Sequence, residues 1–78
     1  MSPHRLPSLK PSDVIRALER AGLIITRSKG SHHRLVHPND PTRATTISVH
    51  QGRDMPRGTL ADIIEQAGLT EDEFIALL

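Results

Sequence analysis

The chain has 78 residues, a net charge of +1 at pH 7 and no cysteine. This length predicts one small domain, and the lack of cysteine excludes a disulfide framework and a thiolate zinc site. No apolar run approaches the roughly 20 residues that cross a bilayer, and the first eight residues lack the apolar centre of a signal peptide. We therefore expect a soluble, cytoplasmic protein.

Charge is distributed unevenly along the chain. Residues 1–57 contain all ten lysines and arginines with four acids, a net charge of +6, whereas residues 58–78 contain five acids and no base, a net charge of −5. A basic body is what a phosphate-binding surface requires. An uneven solvated surface without a partner would give the same distribution, so charge alone leaves both interpretations open.

Apolar spacing predicts a first helix from Pro11 to about Gly22, since proline suits the first helical turn and glycine the left-handed cap. Three segments rich in β-branched and apolar residues follow, and turn-forming residues separate them. They predict an antiparallel meander. The strands are expected at residues 23–28, 32–37 and 44–49, with turns at 29–31 and 38–43.

Two more helices are predicted after a loop at residues 52–58. Leu60 begins an apolar stripe that stops at Gly68, and Thr70 with Glu73 reads as a capping box that opens a short last helix. The order α-β-β-β-α-α predicts an α+β fold, in which helices cover one face of a three-stranded antiparallel sheet and leave the other open. We expect a flexible N-terminus at residues 1–9 and a single domain at residues 10–78.

The stretch from Lys29 to Arg34 places two adjacent histidines beside a turn and among basic residues. Histidine as a residue type accepts and donates protons near neutral pH, which suits removal of a proton from a ribose 2′-OH. Neighbouring cations can stabilise the charge that develops on the attacked phosphate. Alternation along the second strand does not decide which histidine faces the helices, because both faces mix apolar and polar residues. The two sets are His32, Arg34 and Val36 on one face and His33, Leu35 and His37 on the other.

The order of elements and several short motifs resemble the HicA toxins, the RNA-cleaving members of bacterial toxin–antitoxin pairs. The resemblance extends from about Lys10 to Leu78 and rests on the order and spacing of the motifs together. The matching motifs are Arg20-Ala21-Gly22, Lys29-Gly30-Ser31-His32, His37-Pro38, Ser48-Val49-His50, Pro56-Arg57-Gly58-Thr59-Leu60 and the run Ile63-Ile64-Glu65-Gln66-Ala67-Gly68-Leu69-Thr70.

This resemblance implies a fold like the double-stranded-RNA-binding domain and metal-independent cleavage of messenger RNA, which a HicB-like antitoxin inhibits by covering the site. The family's catalytic histidine closes the Gly-Ser-His motif and maps to His32, with His33 as the reserve candidate. Where the family often has an aromatic residue soon after the motif, this chain has Leu35 and Val36. We expect no cofactor, no membrane contact and no DNA contact by this chain alone. The expected RNA-binding residues are Arg27, Lys29, Gly30, Ser31, His33 and Arg34.

Three other functional classes are compatible with the residues. A zinc site is disfavoured because His33 and His37 would lie about 13 Å apart along one strand, which leaves only a cross-strand arrangement with His50. A non-catalytic RNA-binding domain is the main rival, although Phe74 is the only aromatic residue besides histidine, so bases have no usual stacking platform. A protein-binding module would use the apolar and acidic last helix.

Overall fold

The structure is a computed structural model that describes residues 6–49 and 52–78. The three strands form one antiparallel sheet with β2 in the centre. This arrangement confirms the predicted α+β fold and matches that of the double-stranded-RNA-binding domain. The elements are α1 Pro11–Arg20, β1 Ile24–Lys29, β2 His32–His37, β3 Asp40–Ser48, α2 Arg57–Gln66 and α3 Glu71–Ala76.

Helices α1 and α2 pack against the sheet at β3 and bury its apolar side chains. Leu35 of β2 and Ile47 of β3 are fully buried beneath them, as is Phe74 of α3. Because each such side chain contributes roughly 1.5–3 kcal/mol on burial, the helix-covered face supplies most of the stability. The opposite side of the sheet, here called the open face, is left to solvent. The helical residues buried against this core include Val14, Leu18, Leu60, Ile63 and Ile64.

The C-terminal end of α2 is attached to β3 by polar contacts. The Arg43 Nε donates a hydrogen bond to the Ala67 carbonyl at 2.8 Å, where a cation also suits the negative end of the helix dipole. The buried Thr45 hydroxyl donates to Gln66 Oε1 at 2.6 Å. Gly68 follows with φ +77°, and a Cβ there would lie 2.7 Å from Arg43 Nε. The positive φ therefore favours glycine at this position, and an added Cβ would also displace the Arg43 side chain.

The predicted capping box at the start of α3 is confirmed. Thr70 Oγ1 accepts a hydrogen bond from the Glu73 amide at 3.1 Å, and Glu73 Oε1 accepts one from the Thr70 amide at 2.8 Å. At its other end, α3 is attached to α1 because the Arg20 guanidinium donates to the Leu77 carbonyl at 2.7 Å. These contacts hold a helix of only six residues against the core.

Strand β3 begins four residues earlier than predicted, at Asp40 instead of Ala44. The cluster of turn-forming residues suggested a six-residue turn, but the chain reverses within Pro38 and Asn39, and His37 pairs directly with Asp40. Proline at position 41 is tolerated because β3 is an edge strand. The register shifts between Val36 and His37, so the regular ladder does begin at Ala44.

The first residues of the expected flexible N-terminus, 1–5, lie outside the described residues. In the remainder, Leu6 is 6 % exposed and the Leu9 carbonyl accepts a hydrogen bond from the Met55 amide at 2.7 Å. The division into residues 1–9 and 10–78 stays a prediction. Within the described part of the chain, no helix has the length and apolar character needed to cross a membrane.

Candidate functional site

The structure decides which side chains of β2 lie on the open face. Leu35 is fully buried beneath the helices, so His33 and His37, which alternate with it, lie on the helix-covered face. His32 and Arg34 therefore lie on the open face, where both are exposed. Of the two adjacent histidines, only His32 presents its ring to solvent on this surface.

A tight turn places His32 at the start of β2. Gly30 has φ +57° and Ser31 does not have a positive φ, which is the pattern of a type II′ turn with glycine at its first central position. The Ser31 carbonyl accepts a hydrogen bond from the Val49 amide at 2.8 Å, so the end of β3 holds the turn from the other side. The turn predicted at residues 29–31 is therefore confirmed, and Gly30 provides its positive φ.

Antiparallel pairing places three cations on the open face with His32. Lys29 of β1 is the direct partner of His32, and Arg27 is the direct partner of Arg34. Paired residues on neighbouring strands point to the same face, with Cα atoms about 4.5–5.5 Å apart. The register is irregular between Ile25 and Arg27, where β1 bulges. A bulge inserts one extra residue and so changes which side chains share a face. After this bulge, Arg27 pairs with Arg34 and Lys29 pairs with His32.

These side chains line an open groove of about 460 Å³, here called the first groove. Arg34 donates a hydrogen bond to the Thr46 hydroxyl across β2 and β3 at 3.3 Å, which holds its guanidinium at one wall. No acidic side chain is among the lining residues that the structure describes. The groove thus combines a proton-transfer group with an anion-binding surface. It is lined by Thr26, Arg27, Lys29, His32, Arg34 and Thr46.

A family model described as HicA toxin of bacterial toxin-antitoxin matches residues 11–69 of the 78-residue chain. The match includes α1, the whole sheet and α2, and therefore every residue of the first groove. The chain belongs to the HicA toxin family. A comparison with curated proteins gives no match. Family membership implies an antitoxin partner for this HicA chain.

His33, the reserve candidate for the catalytic histidine of this HicA chain, lies outside the first groove. It is half-buried on the helix-covered face, and its Nδ1 lies 2.9 Å from the Ser28 hydroxyl of the neighbouring strand. One ring nitrogen is therefore already engaged within the sheet. Gly30 and Ser31 lie in the turn beside the groove and not among its lining residues. Contact of these three residues with RNA stays a prediction.

His37, the other histidine that the structure describes, does not line the first groove. His37 ends β2, where its Nδ1 accepts a hydrogen bond from the Asn39 amide at 3.1 Å, a structural role in the hairpin turn. The His37 ring also lies close to Gly22, since a Cβ added to that glycine would be 3.2 Å from the His37 Nε2. His50 lies outside the described residues. Within residues 6–49 and 52–78, no three His, Asp or Glu side chains form a group that could hold a metal ion.

Sequence reasoning missed the threonines of the first groove and a second groove beside it. Thr26 and Thr46 gave no signal in the sequence, because strand register and the bulge in β1 determine their positions. The second groove, of about 340 Å³, lies beyond β3 and shares Thr46 with the first. It is formed by β3, the N-terminal ends of α1 and α2, and the loop before α2. Its lining includes Thr46, Ser48, Arg53, Asp54, Met55 and Thr59.

Proposed function

We propose that this chain is the toxin of a type II toxin–antitoxin pair and acts as a metal-independent endoribonuclease on messenger RNA, with His32 as its general acid or base. One observation carries the proposal: His32 shares an open groove with Arg27, Lys29 and Arg34 and with no described acid. Family membership supplies the toxin class. The chemistry follows from the residues of the groove.

In this mechanism the neutral imidazole of His32 accepts the proton of a ribose 2′-OH. The 2′ oxygen attacks the adjoining phosphorus, the bond to the 5′ oxygen breaks, and that oxygen leaves with a proton from water. The products are a 2′,3′-cyclic phosphate and a 5′-hydroxyl end. One positioned base contributes a rate enhancement of roughly 10²- to 10⁴-fold, so the proposed enzyme is slow.

The cations of the first groove have a separate role. Charge increases on the non-bridging phosphate oxygens during attack, and fixed guanidinium and ammonium groups stabilise it. Arg34 is the best placed of them to hold a fixed geometry, because Thr46 accepts one of its hydrogen bonds. A planar guanidinium also binds two phosphate oxygens at once, which a lysine ammonium does not.

An antitoxin resembling HicB would inhibit the enzyme by covering the first groove. The groove lies on the exposed side of a sheet, so inhibition by closing an internal cleft is not available. A standard interface covers about 800 Å² on each partner, compared with 4971 Å² of exposed surface on this chain. Acidic groups on the antitoxin would complement the three cations and exclude RNA.

The direct test is a cleavage assay with His32→Ala. This variant should lose cleavage and growth arrest while keeping its fold, since the side chain is exposed and no described contact of the core depends on it. Single-residue loss of the base should reduce the rate by roughly 10²-fold or more. His33→Ala serves as the matched control, as an adjacent imidazole on the opposite face, and should retain cleavage.

Three outcomes would count against this assignment. Loss of cleavage only in His33→Ala would move the catalytic role by one position. Normal cleavage by both variants would reject histidine catalysis. RNA binding without any cleavage by the unmodified chain would favour a non-catalytic RNA-binding domain.

A further inference from the structure

The second groove continues the first across β3. Thr46 lines both grooves, and Ser48, which lines the second, is the direct strand partner of His32. Neighbouring strands lie about 4.8 Å apart. An RNA strand with one phosphate at His32 that crosses β3 therefore reaches the second groove within one nucleotide.

The lining of the second groove suits a nucleobase. Met55, which is 7 % exposed, and Pro56 contribute apolar surface, while Arg53, Asp54 and Thr59 contribute hydrogen-bonding groups at the rim. A base has two flat apolar faces and a polar edge, and pockets for such ligands combine an apolar wall with a few polar groups. Arginine donates to base acceptors, aspartate accepts from exocyclic amines, and threonine can do either.

The position of Asp54 in this rim is supported by an ion pair. Lys10 Nζ lies 3.4 Å from Asp54 Oδ1, and both side chains are more than half exposed. A pair this exposed adds little stability, but it neutralises the carboxylate, which would otherwise repel an RNA strand. The carboxylate can then accept a hydrogen bond from a base without opposing the nearby phosphate.

Composition also favours this groove over a flat stacking surface. Phe74 is the only Phe, Tyr or Trp in the chain, and it is fully buried in the core. A base held by this chain must therefore contact other groups. Methionine is well suited, since its thioether makes favourable contacts with aromatic rings, and Met55 provides one in the second groove.

We propose that the second groove binds the nucleobase of the nucleotide adjoining the scissile phosphate and gives cleavage a base preference at that position. This inference rests on the proposed ribonuclease function, because it takes His32 to mark the scissile phosphate. The first groove would then bind RNA through phosphate, and the second would read one base.

A binding experiment tests the groove independently of cleavage. The full chain, with labelled Met and Ile methyl groups, is titrated with each of the four nucleoside 5′-monophosphates and separately with inorganic phosphate. We expect at least one nucleotide to shift the Met55 and Ile63 methyl signals, whereas phosphate alone leaves them in place. Nucleotide shifts that match those of phosphate would overturn the proposal, as would Met55 and Ile63 methyl signals that none of the four nucleotides moves.

A cleavage experiment tests the predicted preference. Cleavage sites in an RNA pool of random sequence are mapped for the unmodified chain and for the variants Arg53→Ala and Thr59→Val. The matched control is Arg16→Ala, because Arg16 is an exposed arginine on α1 that lies outside both grooves. One position beside the cut should show a preference of roughly 5- to 150-fold, the range that a good base contact provides. The two groove variants should reduce it while Arg16→Ala retains it.

The outcomes separate the inference from the proposed function. Cleavage with no base preference beside the cut, or with a preference unchanged in both groove variants, overturns the inference and leaves the ribonuclease intact. No cleavage by the unmodified chain rejects the ribonuclease, and the nucleotide titration still decides whether the groove binds a base. If the Met55 and Ile63 methyl signals shift when the antitoxin is added but with none of the four nucleotides, the second groove is a protein-docking surface and the inference is overturned.

Discussion

Arg27 and Arg34 lie directly opposite each other on β1 and β2, on the same side of the sheet as His32. Like charges in this arrangement destabilise a strand pair, and opposite charges or threonines would stabilise it. Residues that reduce stability without a structural benefit are typical of functional positions. The pair is therefore best explained by binding of an anion, which would neutralise both guanidinium groups.

A double-mutant cycle with Arg27→Gln and Arg34→Gln measures this repulsion. We expect either substitution to raise the free energy of unfolding more in the unmodified chain than in the chain that already carries the other substitution. The difference, which is the coupling energy, should be roughly 0.2–1 kcal/mol. Both variants should bind RNA more weakly. Urea unfolding at low and high salt is the measurement, since added salt should reduce the coupling. A coupling energy of zero at low salt would show that the two charges do not interact.

RNA affinity should decrease steeply with salt, because each phosphate that a cation neutralises releases counterions. Contacts from Arg27, Lys29 and Arg34 with a single strand predict a slope of about 0.7 each, or a loss of roughly 20-fold between 50 and 200 mM salt. Fluorescence anisotropy with a labelled oligonucleotide measures it. Lys29→Ala should reduce the slope by about 0.7 on any RNA sequence. A flat dependence would contradict binding through phosphate.

Replacement of Gly30 by alanine should destabilise the fold and slow cleavage. Its φ of +57° costs a residue with a Cβ about 1–2 kcal/mol, although no atom lies within 4 Å of the added methyl group. Strain at this turn would displace His32, two residues later. Gly58→Ala on α2 is the matched control, because this glycine has neither a positive φ nor a neighbour within 4 Å. Equal unfolding midpoints for the two variants would contradict the turn assignment.

Acid should remove a contribution of Asp40 to stability. A hydrogen bond from the Thr42 hydroxyl, at 2.5 Å, holds the pKa of Asp40 below its ordinary value of 3.8. Because the folded chain favours the charged carboxylate, this contribution is present above pH 3.8 and is lost as the pH falls through the lower value. Asp40→Asn should therefore be less stable than the unmodified chain at pH 7, and the difference should shrink below pH 3.8. Thermal unfolding of the two chains at pH 7 and at a pH below 3.8 measures this difference.

Hydrogen exchange on the toxin–antitoxin complex should show protection at residues 29–36. These residues include the turn, His32 and Arg34, which an inhibitor that covers the first groove would contact. RNA and the antitoxin should also compete in a binding assay. Protection limited to α3, with RNA still bound, would indicate that inhibition acts from a distance.

Local sequence patterns predicted the elements well because the signals at their ends are local. The capping box at Thr70 and the glycine turn at Gly30 each depend on a few neighbouring residues. The beginning of β3 was predicted wrongly because Pro38 and Pro41 both resemble turn residues, although only the first lies in the turn.

The site was harder to predict because it depends on register. Leu35 and Val36 are both apolar, so the sequence could not show which of them faces the helices, and hence which face carries His32. The pairing of Arg27 with Arg34 depends on the bulge in β1. The second groove is formed by three separate segments of the chain, which only the tertiary structure brings together.

Strand β1 has a further consequence for the isolated toxin. It is an edge strand exposed along its whole length, and Ile24 and Ile25 are 50 % and 41 % exposed. Unpaired edges of this kind can join edge to edge with another chain, and positive charges on an edge strand oppose that association. Arg27 and Lys29 therefore oppose edge-to-edge pairing of free toxin molecules. A bound anion that neutralises them would also remove this protection, so we expect isolated chains to associate through β1 most readily when an anion occupies the first groove.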